Sequence, residues 1–177
     1  MLEFVAKDVQ ERLEALSKEF YTKSPIEALA KYGTMVDEYK DTDAFVAKLV
    51  GTRQALQYLR AGLYKEAHIA LLQAKPEVPE ELNKDAFLYF EWVLVAKKVL
   101  FKQFFQQEAL EMLLAACRVY FDLKQKDFKN APKLDLYSAK IYEDLGMIHA
   151  EHYFYKTAKS YMAKAMQVYE QHPELSN

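Results

Sequence analysis

Small residues return at fixed intervals in two distant parts of this chain, and that register restricts the folds open to it. Gly146 is followed twelve residues later by Ala158 and seven later again by Ala165; Ala55 is followed at the same intervals by Ala67 and Ala74. Between them, AGLYKEA at 61–67 and HYFYKTA at 152–158 share Tyr, Lys and Ala within their last four positions, and Tyr58 and His149 each lie three residues after the leading small residue. Residues seven apart lie on one face of a helix. A small side chain on each of two helices lets their backbones approach closely. The interval therefore predicts tight helical hairpins, used at least twice.

The remaining sequence extends the same pattern. With 4 Gly and 5 Pro there is little turn chemistry for many short strands. Val5, Val9, Leu13, Leu16 and Phe20 fall on one side of a helix ending near Tyr21. Ser24 and Pro25 read as an N-cap and first-turn proline opening a second helix to about Tyr39. KDTDAF offers Asp41, Thr42 or Asp43 as the next cap. A third helix is expected from Ala44 to near Gly62, and a fourth from Tyr64 to about Ala74, ended by KPEVPE. A fifth covers roughly Glu80 to Lys102 and a sixth Phe105 to Lys124, with no Gly or Pro at their join near Phe104. After the polar stretch KQKDFKNAPKL, read as a solvated connection, the last two take Leu136 to about His152 and Tyr155 to about Glu170. The expectation is one all-α domain of eight helices in four hairpins over residues 1–177.

Composition narrows the function. The 24 basic and 26 acidic side chains leave a net charge of -2, with no global field for a nucleic acid. Cys117 is the only cysteine, which excludes an intramolecular disulfide and a Cys-rich zinc site. The N-terminal stretch breaks its apolar residues with charges, unlike a secretory signal. The most apolar run, Phe87 to Ala96, is interrupted by Glu91 and closed by Lys97 and Lys98. A soluble cytoplasmic protein with no nucleic-acid or membrane partner is expected.

Tyr142, Leu145, Gly146, Tyr155, Ala158, Tyr161, Ala165 and Val168 resemble the tetratricopeptide repeat, whose pattern is an aromatic, Leu-Gly and Tyr in one helix and spaced alanines with an aromatic in the next. The unit at 51–74 keeps Ala55, Tyr58, Gly62, Tyr64, Ala67 and Ala74, with Gly51 and Gln54 where the aromatic and leucine belong. A third copy keeps Ala109 and Ala116, with Phe105, Leu113 and Val119 as packing residues, but has Lys97 at the small position. The hairpin at 2–39 carries no motif. The intervals from Ala67 to Ala109 (42) and Ala109 to Ala158 (49) exceed the period of 34 residues typical of the family.

The resemblance implies a superhelix whose first helices line a concave face, working as a non-enzymatic protein- or peptide-binding adaptor, scaffold or peptide sensor. It points to Thr52, Leu56, Leu59 and Arg60; Leu94, Lys98, Phe101 and Lys102; and Glu143, Met147, Ala150 and Glu151. Such a face suits an extended or helical peptide with an acidic group near Arg60, Lys98 and Lys102. Relatives that clamp a C-terminal carboxylate use Asn and Lys there, whereas Asn83, Asn130 and Asn177 fall outside these positions. The alternatives are a groove filled by a terminal helix or a second copy, and a homo-oligomer joined through the Val5 to Phe20 stripe.

Catalytic and metal readings are weaker. A di-iron bundle needs a Glu three residues before a His on two helices. Here Gly146 precedes His149 and His149 precedes His152, so both histidines read as structural, and His68 stands apart from them. Glu108 and Glu111 read as a solvated pair, Cys117 as a buried thiol without a base, and Trp92 as core. Neither a Gly-rich phosphate loop nor G-x-S-x-G occurs. No catalytic residue, cofactor or metal is expected.

Overall fold

The computed structural model describes residues 1–175. Within them run eight α-helices: α1 (Lys7–Thr22), α2 (Pro25–Tyr39), α3 (Ala44–Arg60), α4 (Tyr64–Gln73), α5 (Lys84–Lys102), α6 (Gln106–Lys126), α7 (Pro132–Glu151) and α8 (Tyr155–Gln171). Short 3-10 turns occupy Leu2–Phe4 and Pro173–Leu175, and the described residues contain no strand. The all-α class with eight helices matches the expectation from sequence.

Local chemistry sets the boundaries. Ser24 Oγ accepts from the Glu27 amide at 3.3 Å with Pro25 in the first turn of α2, and Asp43 Oδ1 accepts from the Val46 amide at 3.2 Å at the start of α3. α5 begins at Lys84 rather than Glu80, because Asn83 Oδ1 accepts from the Asp85 amide at 2.9 Å and caps it there. α7 begins four residues before the expected Leu136, with Pro132 in its first turn.

Three hairpin turns close in the same way. Leu63, Phe105 and Phe154 each donate a backbone N–H to the carbonyl five residues earlier, on Tyr58, Leu100 and His149, at 2.9, 2.9 and 2.8 Å. The residue between, Gly62, Phe104 or Tyr153, is left-handed, with φ of 78°, 63° and 65°. This double-bonded C-terminal cap satisfies carbonyls that the helix end would strand. Glycine adopts it freely, whereas a bulky aromatic there is an outlier. The α5–α6 turn is thus congruent with the other two although its sequence carries no glycine.

The recurring small residues are where the helices meet. Ala55, Ala67, Ala74, Ala109, Ala116, Ala158 and Ala165 are all buried. A Cβ at Gly146 would come within 3.0 Å of Met162 Cγ, and one at Gly51 within 2.9 Å of Ala74 Cβ, so α7–α8 and α3–α4 are in close approach. Lys97, at the corresponding small position of α5, extends to Asp144 of α7 instead, with Nζ 2.7 Å from Oδ1.

α3 packs on α5 and α5 on α7, while α2, α4 and α6 each also pack on the helix that follows. Cross-helix neighbours rise in number together, Arg53 with Glu91 and Arg60 near Lys98 across α3 and α5, and Phe90 with Tyr137 and Lys97 with Asp144 across α5 and α7, so α3, α5 and α7 run parallel. One apolar cluster runs from Ala55 to Ala165. A second holds Val5, Val9, Leu13 and Leu16 against Tyr32, Met35, Phe45, Leu49 and Leu88, and Phe20 packs with Ala28 and Leu29. The stripe of α1 is therefore intramolecular core rather than an open interface.

Both ends of the chain fold back toward the start of α7. Phe4 stacks near Phe87 with centroids 5.3 Å apart. His172 Nε2 lies 2.7 Å from Oδ2 of the buried Asp135, which also accepts from Tyr120 Oη. Met1, Glu3, Tyr137, His172 and Glu174 share the lining of a cavity of about 500 Å³. No described helix is long and apolar enough to cross a membrane.

Candidate functional site

The parallel row of α3, α5 and α7 sets the geometry of the site. Arg53 Nε of α3 lies 2.9 Å from Glu91 Oε1 of α5. The nearby Tyr137 hydroxyl of α7 is pushed up to about 12 by burial and then by the Glu91 charge. One to two turns further along, α5 and α7 part to leave a cleft of about 220 Å³ lined by Lys97, Lys98, Phe101, Lys102, Asp144, Met147 and Glu151. Five of these residues, Lys98, Phe101, Lys102, Met147 and Glu151, are among those singled out from sequence.

Lys97 and Asp144 form the floor of the cleft, with side chains only 13% and 12% exposed. Burial raises the Asp144 carboxyl above the usual range, against the pull of Lys97, Lys98 and Lys140. The Lys98 side chain reaches solvent, yet partial desolvation pushes its ammonium below the usual lysine range, and repulsion from Lys97, Arg60 and Lys140 adds to this. Among the described residues Lys98, Lys102 and Lys140 have no ion-pair partner. Apolar surface adjoins these charges, Phe101 half-buried and Met147 52% exposed.

The remaining expected residues take other places. Thr52 is fully buried and donates Oγ1 to the Lys48 carbonyl at 2.8 Å; it shares the inward face of α3 with Ala55 and cannot line a groove. Leu56, Leu59 and Leu94 are half-buried against the main core and lie outside the cleft. Arg60 is exposed, with Nη1 3.4 Å from Gln57 Oε1 and its guanidinium 5.8 Å from the centroid of the Tyr21 ring, and acts on Lys98 through its field. Glu143 lies outside the cleft, where burial first and then its charge push up the Tyr169 hydroxyl of α8, so Glu151 and Asp144 supply the acidic groups of the cleft. Lys97, Lys140 and Asp144 escaped the sequence reading. Their only signal there was Lys140 and Asp144 standing four apart on one helix, with a charge at a position meant for a small residue.

Other candidate chemistry resolves into structural contacts. His149 stacks on Tyr161 at 5.5 Å and 9°, whereas His152 Nε2 lies 2.9 Å from Gln106 Oε1. No group of three His, Cys, Asp or Glu among the described residues is arranged to hold a metal ion. Cys117 is half-buried rather than fully buried, and desolvation pushes its thiol up to about 11. Glu108 and Glu111 are exposed. Trp92 is buried and donates Nε1 to the Leu71 carbonyl at 2.9 Å. In the polar connection, Lys124 turns over the Phe128 ring and Lys126 donates to the Glu80 carbonyl. Asn83 caps α5, Asn130 bonds Asp127, and Asn177 lies outside the described residues. No protein-family profile, curated protein or solved structure matches the chain.

Proposed function

We propose that this chain is a non-enzymatic, cytoplasmic interaction module of tetratricopeptide-like hairpins that holds a protein segment or peptide along α3, α5 and α7, with a carboxylate of the ligand beside Lys98 and Lys102. The observation that carries the reading is the cleft between α5 and α7, where two unpaired ammonium groups, one partly desolvated, flank Phe101 and the exposed Met147. An uncompensated cation beside apolar surface is stabilised by an anionic group that arrives with an apolar neighbour. The congruent turns and buried alanines support the repeat architecture, and the half-buried Leu56, Leu59 and Leu94 rigidify the row rather than touch the ligand.

Affinity capture from native lysate, comparing wild type with an Arg60→Glu, Lys98→Glu, Lys102→Glu variant of matching circular dichroism, tests this. A partner held by wild type is expected to lose binding by about a hundredfold or more, as fits reversal of charges in contact with a ligand. Equal retention by the folded variant rejects the cleft as the binding surface. Concentration-dependent self-association of wild type without any partner would favour a self-filled groove.

A further inference from the structure

Lys98 has surroundings that neighbouring lysines lack. Lys97 gives its charge to Asp144 at 2.7 Å, whereas Lys98 is exposed and has no carboxylate of its own among the described residues. Cations gather round it from three helices: Lys97 and Lys102 on α5, Arg60 at the end of α3 and Lys140 on α7. Asp144 and Glu151 of α7 are the anions that line the cleft, so its charge is positive in sum. Lys98 and Lys102 stand four apart on one helix, a spacing at which like charges repel. Partial desolvation and then repulsion hold the Lys98 ammonium below the usual lysine range. An amine beside other cations, partly desolvated yet open to solvent, is activated as a nucleophile.

We propose that Lys98 is an acylation site, modified by small anionic donors of the acyl phosphate class that the cationic cleft gathers and orients. The surrounding charges have two effects. They raise the local concentration of a doubly charged phosphate, and they stabilise the charge that develops on its departing oxygen. Half-buried Phe101 and exposed Met147 give a short acyl chain an apolar wall in the cleft of about 220 Å³.

In the transfer, the lone pair of the neutral Lys98 Nζ attacks the carbonyl carbon. The N–C bond forms, the C–O bond to phosphate breaks, and its electron pair leaves on the phosphate, which takes up the proton that Nζ gives away. The products are an amide at Lys98 and inorganic phosphate, with no oxidant or further reactant consumed. The reaction removes one positive charge from the cleft. Its consequence rests on the ligand reading above: an acylated Lys98 no longer meets the ligand carboxylate, and the module is switched off.

The test incubates the full chain, without any ligand, with acetyl phosphate at pH 8 and follows each lysine by peptide mass spectrometry. Lys65 and Lys156, exposed and outside the cleft, serve as references. Lys98 is expected to be acetylated about tenfold faster than either, at the low end of what a focused field adds to encounter rates. The preference should shrink as salt is raised and vanish in denaturant. An Arg60→Ala, Lys140→Ala variant of matching circular dichroism retains Lys98 but removes the cations that approach it from α3 and α7, and it should lose most of the preference. Equal rates at Lys98 and the reference lysines in native wild type overturn the proposal, and so does a folded variant that keeps the full preference. Because no ligand enters this reaction, its failure leaves the partner capture untouched, and failure of the capture leaves the labelling result standing.

Discussion

Replacing Lys97 by Met separates the two halves of the ion pair that ties α5 to α7. The substitution keeps a long apolar stem but leaves Asp144 about nine-tenths buried without its cation. Removing one partner of a fully buried pair costs about 3–5 kcal/mol. Here an eighth of each side chain remains open, and Lys98 and Lys140 still attract the carboxylate, so about 2–3 kcal/mol is expected at neutral pH. With a urea m-value of about 2–3 kcal/mol per molar for a chain of this size, the unfolding midpoint falls by about 1 M. Asp144 already has a raised carboxyl, and losing Lys97 raises it further. A carboxyl raised in the folded state destabilises folding when ionised. The deficit of Lys97→Met therefore narrows as pH falls from 7 toward the ordinary carboxylate range near about 4. Adding Asp144→Asn removes the stranded charge and should restore most of the loss at neutral pH. Urea titrations of the three variants and wild type decide the matter. A Lys97→Met protein within about 0.5 kcal/mol of wild type, or no recovery on adding Asp144→Asn, would refute the account of this pair.

Two further outcomes follow from packing and burial. Gly51→Ala places a Cβ 2.9 Å from Ala74 Cβ, which is not a flexible tip, and should lower stability by about 1–2 kcal/mol, or a few degrees in thermal unfolding; an unchanged melting temperature would mean that α3 and α4 are not in close approach. Cys117, with its thiol pushed up to about 11, should react with a thiol reagent at pH 8 about a hundredfold more slowly in the native protein than in denaturant, and equal rates would contradict its desolvation.

The parts of this fold legible in the sequence are those written in local chemistry. Ser24 with Pro25, Asp43, and Gly62 mark ends because caps and left-handed turns select residue types directly. The alanines at steps of twelve and seven located the hairpin contacts because close approach tolerates only small side chains. The α5–α6 join was obscure because an aromatic, Phe104, stands where the backbone calls for glycine, and no local rule anticipates a disfavoured residue. α7 begins early because Pro132 starts it, whereas the expected start rested on the polar stretch before Leu136. Lys98, Phe101, Lys102, Met147 and Glu151 line one cleft because helical spacing alone places them on the facing sides of α5 and α7. Thr52 turns inward, where its hydroxyl donates to the Lys48 carbonyl, and helical spacing does not reveal that direction. The Lys97–Asp144 pair joins residues 47 apart and is a purely tertiary compensation for the missing small residue.

The return of both chain ends to the start of α7 bears on how the molecule comes apart. In a stack where each hairpin touches only its neighbours, terminal units fray one at a time and protection decays toward the ends. Here Phe4 reaches past the second hairpin to α5, Met1 and Glu3 share a cavity with α7, and His172 returns to Asp135. Displacing the segment before α1 thus breaks the Phe4 contact with α5 and opens the cavity it shares with α7. These contacts predict that unfolding is cooperative across the array and that amides of α1 exchange at rates close to those of the core, which hydrogen exchange would measure.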